Sequence, residues 1–365
     1  MVLCYQSLQK IIEGAKPMIH SAHSLEKHIQ PASIDVPVSD RCFRVSVSAL
    51  PSHGRLMTSL LKRFKMYEFE IKKEGALLEK GMTYIIPLDM NLSLSEQFQA
   101  KFSPKSTIGR NDLFVRTITE NGEEFDVTEF GYNGPLYLEV TPLSFHSTLY
   151  PFVPLNQMRI IDNKSISLSD EELAILHSKF GIVRDREGRP IEALIKNNSL
   201  YLHLDLSDKA QTAGYESLKN PEQSIHIGRK EVDDKDEFFR RIKSTPHGDV
   251  ICHPDSFYLL YTKERIVIPP CVCATLEEYS VNMGEFRSHY AGFFDNGFGG
   301  EIGTCGVLEF RPRDLPVTLY DDQLICRMTF YRTDEIPNKL YQVGANSYTG
   351  CGPRLAKNFI GFENW

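Results

Sequence analysis

Several things are missing from this 365-residue chain, and each absence removes a class of function. No apolar run approaches the roughly 20 residues that a membrane-spanning helix needs, so no membrane partner is expected. The opening Met1-Val2-Leu3-Cys4-Tyr5 lacks the charged start and apolar core of a signal peptide. Basic residues are not in excess: 41 Lys and Arg stand against 48 Asp and Glu, a net charge of −7. A nonspecific binder of long nucleic acid needs a basic surface, so no nucleic acid polymer is expected either. A small nucleotide, held by a few local cations, stays open. The eight cysteines make no disulfide framework of the kind small secreted domains use. Free thiols and a reducing, cytoplasmic setting are the expectation. Low-complexity tracts and coiled-coil repeats are absent too.

Metal chemistry is equally short of ligands. Zinc deaminases of nucleobases carry H-x-E and P-C-x-x-C, which let zinc activate water while Glu shuttles protons. No H-x-E occurs here, and Pro270-Cys271-Val272-Cys273 leaves only one residue between its thiols. A tetrahedral site on that pair needs two distant ligands. Reduced cysteines on a strand are the plainer reading, and no catalytic metal is expected.

What is present is one segment used twice. Leu138-Glu139-Val140 is followed by Thr148-Leu149-Tyr150, and Leu308-Glu309-Phe310 by Thr318-Leu319-Tyr320. Glu139 and Tyr150 have the same spacing as Glu309 and Tyr320, and the copies are offset by nearly half the chain. Each follows a Gly-aromatic turn, Gly131-Tyr132-Asn133-Gly134 or Gly297-Phe298-Gly299-Gly300. Length alone favours about two domains. Apolar content of 41% lets each half bury a core. Short β-rich runs separated by turn residues fill the first half: Cys42 to Ala49, Tyr67 to Ile71, Tyr84 to Pro87 and Leu113 to Ile118. Strands resume with Leu200 to Leu206. A short helix is expected from Ser7 to Gly14, and a clearer one between the halves. There Ser169-Asp170-Glu171-Glu172 makes a cap and first turn, and Leu173 to Lys179 has helical spacing up to Gly181. The charged run from Arg229 to Ser244 reads as a helix or surface insertion with a solvated face. The division that follows is residues 1–165 and 166–365.

Three runs could carry chemistry. In Ser103-Pro104-Lys105-Ser106-Thr107-Ile108-Gly109-Arg110, adjacent hydroxyls donate, Lys neutralises and Arg binds bidentately, which suits phosphate oxygens. An ordinary loop fits the same residues. His289-Tyr290-Ala291-Gly292-Phe293-Phe294-Asp295-Asn296-Gly297 could wrap a sugar, an aromatic face on the ribose and Asp295 accepting from a hydroxyl; a plain hairpin fits as well. In Cys305-Gly306-Val307-Leu308-Glu309-Phe310, an acid among apolar neighbours would be partly desolvated, as a proton shuttle at neutral pH requires. An outward-facing Glu on an alternating strand is the alternative.

Taken in order, these runs resemble the dCTP deaminase branch of the dUTPase-like superfamily in a duplicated, two-domain form. The carrying residues are Gln30-Pro31-Ala32-Ser33-Ile34-Asp35, Pro104 to Arg110, Ala291 to Phe298, Val307-Leu308-Glu309-Phe310 and the tail Asn346 to Arg354. The resemblance implies a mainly β fold of two distorted jelly rolls in tandem with a few short helices. It implies hydrolysis of dCTP to dUTP and ammonia for dTTP supply, without a catalytic metal and with Mg²⁺ accompanying the triphosphate. By the same resemblance Glu309 is the proton shuttle and Ala291 offers backbone groups near the attacking water. Ser106 and Arg110 join the catalytic and phosphate cluster, beside Lys105 and Thr107. Asp295 holds the deoxyribose, and Val307, Leu308 and Tyr348 line the substrate. The tail has Ser347, Thr349 and Cys351 where the family usually offers a Lys and glutamines, leaving Arg354 or Lys357 to close on the triphosphate. The phosphate motif exists only in the first half and the sugar loop only in the second, so a site built from both halves is expected, with a first-half site using Glu139 as the alternative. A homo-oligomer, with a trimer favoured, and dTTP as a feedback ligand also follow from the resemblance. The alternatives are a dUTP diphosphatase, a bifunctional deaminase and diphosphatase, or a nucleotide-binding regulator with degenerate sites.

Overall fold

The computed structural model describes residues 1–52, 54–207, 212–278, 286–287, 292–341, 348 and 350–362. Strands dominate, and the helices are short. In the first half, one sheet runs in the order Lys65–Glu70, Arg41–Val45, Thr83–Ser93, Asn133–Pro142, Leu113–Thr119, with neighbours antiparallel. A second sheet sets Pro154–Asp162 between Ile34–Pro37 and Phe98–Pro104. Val36, Leu155, Ile86 and Leu138, from both sheets, share one buried core. The second half has the same kind of arrangement. Phe239–Ile242, Gly214–Ser217, Tyr258–Ile266, Thr304–Pro312 and Phe286–Arg287 form one sheet. Leu194–Lys196, Ser199–His203, Leu324–Arg332, Val272–Glu278 and Phe293–Phe294 form the other. Glu139 and Glu309 thus each lie on a strand in the interior of a sheet.

Local chemistry explains where elements start and stop. Ser169 caps the helix Asp170–Phe180 with a full capping box: its hydroxyl accepts from the Glu172 amide while the Glu172 carboxylate accepts from the Ser169 amide. Gly181, at φ 59°, ends it in the left-handed conformation. The turn entering the Glu309 strand needs glycine most at Gly299, where φ is +86° and a Cβ would lie 2.1 Å from the Ile266 carbonyl oxygen.

Two sequence expectations need correction. Arg229 to Ser244 is not mainly a helix with a solvated face. It holds a single helical turn, Lys235–Phe238, then the strand Phe239–Ile242, which pairs with Gly214–Ser217. Phe238 and Phe239 are buried edge-on against Phe145, at centroid distances of 5.3 and 5.2 Å, inside the first half's core. The charges sit outside a pair of aromatics that cross between halves. The expectation of free thiols also fails for one pair: Cys305 and Cys351 are joined in a disulfide, with Cα atoms 4.8 Å apart. Cys273 follows the plainer reading, a buried thiol on the strand Val272–Glu278 pushed up to about 11 by burial. The helix Met57–Phe64 was not anticipated. It turns Met57 and Leu60 onto a small cluster with Phe43, Ile85 and Tyr137.

Candidate active site

Pro104 closes the strand Phe98–Pro104, and the chain then makes one helical turn, Ser106–Gly109. Lys105 is the extended residue before that turn; Ser106 and Thr107 open it, half-buried, and Arg110 follows it. Arg110 is 6% exposed. Its Nη1 donates to the Arg354 carbonyl at 2.8 Å, and its guanidinium lies 3.7 Å from the centroid of the Tyr348 ring. The Tyr348 hydroxyl shares a 2.8 Å hydrogen bond with Thr107. The phosphate-type turn of the first half and the tail of the second are therefore in direct contact.

Glu309 arrives from the other side. On Thr304–Pro312, alternate side chains point to opposite faces. Leu308 and Phe310 enter the second half's core, whereas Val307 packs on the first half's core. Glu309, on the Val307 face, is 1% exposed. Its charge reaches both Arg110 and Tyr348. Burial lowers the affinity of Arg110 for its proton; Tyr348 and then Glu309 act to raise it. Burial likewise pushes the Tyr348 phenol up, with Arg110 opposing. One chain thus brings Arg110 and Glu309 near enough for their charges to act on each other. A second bridge fixes their register: Arg311, two residues past Glu309, is ion-paired with the fully buried Asp112, two past Arg110. Arg311 also donates to Ser144 at 2.9 Å.

Cations collect along one edge. Lys105 is ion-paired with Asp35. The Lys357 ammonium lies 5.1 Å from the Tyr348 centroid. Burial, then the charges of Lys105, Lys230 and Arg110, push Lys357 down to about 8, with Asp35 opposing. Arg354 is lowered by burial and by Arg110. Lys105, Arg110, Arg354 and Lys357 thus gather around Tyr348 and Asp35. Among the described residues, no group of three or more His, Cys, Asp and Glu is gathered for a metal ion.

The sugar loop is held by the first half. Asp295 accepts from Ser33 Oγ at 2.9 Å and from Arg159 Nη2 at 3.0 Å. Arg159, itself 2% exposed, also donates to the carbonyls of Ala274 and Phe294 at 2.9 and 2.8 Å. The Gly292 amide donates to Ser103 at 3.0 Å. Ala291 lies outside the described residues. Sequence reasoning did not single out Arg159, Asp112, Arg311 or Lys230. Arg311 had a signal, since it shares a strand face with Glu309. Arg159 had none beyond being a lone cation in an apolar run.

A family model described as the N-terminal domain of 2'-deoxycytidine 5'-triphosphate deaminase matches residues 1–164, and one for the C-terminal domain matches residues 169–359. The crystal structure of 2'-deoxycytidine 5'-triphosphate deaminase from Agrobacterium tumefaciens superposes with a TM-score of 0.84 at 31% identity, over 92% of this chain and 96% of that one. The "dCTP deaminase, dUMP-forming" of Clavibacter michiganensis subsp. michiganensis is 32% identical over 137 residues, 36% of this chain and 66% of that protein. The protein of the same description from Aquifex aeolicus is 38% identical over 103 residues, 27% of this chain and 54% of that protein. The chain thus spans between about half and two thirds of the length of these two curated relatives. It is an enzyme of the 2'-deoxycytidine 5'-triphosphate deaminase family.

Proposed function

We propose that this enzyme removes the 4-amino group of dCTP by hydrolysis, releasing ammonia and a deoxyuridine nucleotide. The observation that carries the reading is the meeting of buried Glu309 with buried Arg110 at the edge of a cationic patch, the two coming from opposite halves. Water adds to C4 of the cytosine while Glu309 takes its proton. The proton passes to N3, and collapse of the tetrahedral adduct expels the amine, which leaves as ammonia after a second proton transfer through Glu309. One carboxylate can act first as base and then as acid when it is close and dry. Arg110, Lys105, Arg354 and Lys357 anchor the triphosphate, which enters with its Mg²⁺. Anchoring sets C4 against Glu309 and turns the addition into a positioned, intramolecular-like step. Ser106 and Thr107 add hydroxyl donors. Val307 and Leu308 line the base, and Asp295 takes the sugar hydroxyl while keeping its bonds to Ser33 and Arg159.

Release of dUTP is the first reading of the product. A second, in which dUTP is cleaved further to dUMP and pyrophosphate, is favoured by the dUMP-forming relatives and by Asp35, a carboxylate set among the phosphate-binding cations. Incubation with dCTP and Mg²⁺, with ammonia, dUTP, dUMP and pyrophosphate assayed together, tests both. Ammonia with dUTP supports the first, ammonia with dUMP the second, and no ammonia removes the deaminase reading. Tight dCTP binding without turnover would point to the regulator.

The two halves are further read as copies of one plan, supported by their similar pairs of sheets and the repeated Glu-to-Tyr spacing. A trimeric homo-oligomer, dTTP feedback at the same pocket and a cytoplasmic location beside the nucleotide pool belong to this reading. Sedimentation and dTTP competition test the first two.

A further inference from the structure

Three consecutive residues at the end of the phosphate-type turn each reach a different part of the second half. Arg110 donates to the Arg354 carbonyl, Asp112 pairs with Arg311, and between them Asn111 Nδ2 donates to Asn358 Oδ1 at 2.9 Å. The last contact joins the neighbour of one proposed triphosphate anchor, Arg110, to the neighbour of another, Lys357. Both asparagines are buried, and a third buried group aims one of them. Asn358 Nδ2 donates at 2.8 Å to Asp233 Oδ2, which also accepts from the His226 amide at 3.0 Å. Asp233 Oδ1 shares a 2.6 Å hydrogen bond with His226 Nδ1. An ionised carboxylate only accepts, so the Asn358 nitrogen faces Asp233 and its oxygen is left for Asn111. The backbone repeats the attachment. The Glu231 amide donates to the Lys357 carbonyl at 3.0 Å, and the Val232 and Asp233 amides to the Asn358 carbonyl at 2.8 and 2.9 Å. Asn111 Oδ1, by contrast, is buried with no hydrogen-bond partner among the described residues. A buried acceptor without a partner costs stability that an apolar contact would not. What the amide pair supplies, and an apolar pair does not, is a fixed direction and distance.

We propose that Asp233, Asn358 and Asn111 are positioning residues that hold Lys357 at a set separation from Arg110, so that both cations meet one polyphosphate without rearrangement. This rests on the reading of those two cations as triphosphate anchors. Beyond burial, Lys357 is opposed by the like charges of Lys105, Lys230 and Arg110. The segments that carry these cations therefore repel one another, and the asparagine pair holds two of them together until an anion neutralises the edge.

The test uses the full chain. Asn111→Leu keeps the shape of the side chain and exchanges one unpaired acceptor, its own, for another on Asn358, so its melting temperature should stay close to wild type. KM for dCTP and Ki for inorganic tripolyphosphate with Mg²⁺ should nevertheless both rise about fivefold to tenfold, with kcat within about twofold, because an anchor set less firmly weakens ground-state and transition-state binding alike. Asp233→Asn, which turns an amide nitrogen toward donors, should do the same, and decides the matter if Asn111→Leu does not fold. Asn358→Ala combined with Asn111→Leu should be no worse than the poorer single variant, since both break one contact. Wild-type KM and Ki in folded Asn111→Leu overturn the proposal, as do single effects that multiply in the double variant. If wild type forms no ammonia from dCTP, the functional reading fails instead. The positioning role is then judged by calorimetry with tripolyphosphate: about fivefold weaker binding to the variant supports it, and equal binding, or none by wild type, overturns it.

Discussion

Glu139 and Glu309 stand on two strands of similar sheets, and their surroundings differ in one respect that separates structure from chemistry. Glu139 lies directly opposite Arg116 in register, and Oε1 accepts from that guanidinium at 3.2 and 2.5 Å. Arg116 is in turn sandwiched by Phe125 and Phe114, 3.6 and 4.9 Å from their centroids. The cation belongs to the neighbouring strand of the same sheet, so nothing can come between it and the acid. Glu309 faces Leu259 across its own ladder, and Arg110, a cation that its charge reaches, comes from the other half of the molecule. An acid whose partner is set by strand register is a structural ion pair. An acid whose cation comes from another layer is one that, in the proposed function, a substrate can share.

The largest effect expected breaks this comparison outright if it fails. Glu309→Gln should lower dCTP turnover by about a thousandfold or more, within the range of lost acid–base catalysis, with dCTP still bound. Glu139→Gln should leave kcat within about twofold and instead lower unfolding free energy by about 2–3 kcal/mol. That is somewhat less than the roughly 3–5 kcal/mol for breaking a fully buried pair, because Arg116 is a quarter exposed. Turnover and urea unfolding on both variants check this. A dead Glu139→Gln beside an active Glu309→Gln would reverse the assignment.

Arg110→Ala follows. In the proposed reaction its loss removes the anchor that sets the base against Glu309, and kcat/KM for dCTP should fall by about a hundredfold or more. Arg110→Lys should recover little, since one ammonium cannot donate both to the Arg354 carbonyl and to a phosphate in the same planar fork. If Arg110→Ala keeps wild-type kcat/KM, the meeting of halves is packing alone, and Glu309 resembles Glu139 after all.

The contrast between the two acids was only partly legible in the sequence. The strands were, because turn residues punctuate short β-branched and aromatic runs; so was the helix Asp170–Phe180, whose cap and stop are chemical signals in adjacent residues. The runs Pro104 to Arg110 and Val307 to Phe310 were legible because each is contiguous. What stayed hidden depends on contacts between distant positions. Arg116 opposite Glu139 needs the register. Asp112 with Arg311 and Arg159 with Asp295 need the packing of one half on the other. The disulfide needs the tail's path, since eight scattered cysteines name no pair. Phe238 and Phe239 were concealed by the charges around them, which show only one face of that segment.

Arg159 gives a smaller and sharper test. In the proposed reaction it touches no atom that reacts, but it holds the 292–295 loop of the other half by two bonds, to the Phe294 carbonyl and the Asp295 carboxylate, and lies 4.2 Å from the Phe293 centroid. It is a positioning residue. Arg159→Lys keeps the charge and loses the fork, so KM for dCTP should rise about tenfold with kcat little changed, because sugar placement suffers before proton transfer does. The deoxyribose should be the part misread: discrimination between dCTP and CTP should weaken in the same variant. A purely structural Arg159 would lower thermal stability and leave both KM and that discrimination alone.

The smallest effect bears on charge. One arginine serves Glu139, whereas several cations stand near Glu309, and burial first, then the charges of Lys105, Lys230 and Arg110, push Lys357 down to about 8. Because this value lies below the ordinary 10.5, the unfolded chain binds that proton more tightly than the empty native pocket. Native stability therefore carries a penalty below pH 8 that is relieved as pH rises from about 8 to 10.5. A bound triphosphate reverses the local field and raises Lys357, so binding takes up a proton in that window. The terminal phosphate, with a pKa near 6 like other phosphomonoesters, is fully ionised there and does not mask the effect. KM for dCTP should then climb from pH 8 to 9.5, by at most about tenfold per unit, the limit for one linked proton. Lys357→Gln should start with a higher KM at pH 7.5 and stay flat to 9.5, with kcat unaltered. Calorimetry at pH 8.5 in buffers of different ionisation enthalpy should find proton uptake with wild type and none with the variant. Equal pH profiles for the two would mean that the cations along this edge do not meet the triphosphate, and the electrostatic difference between the two acids would then lie in Arg110 alone.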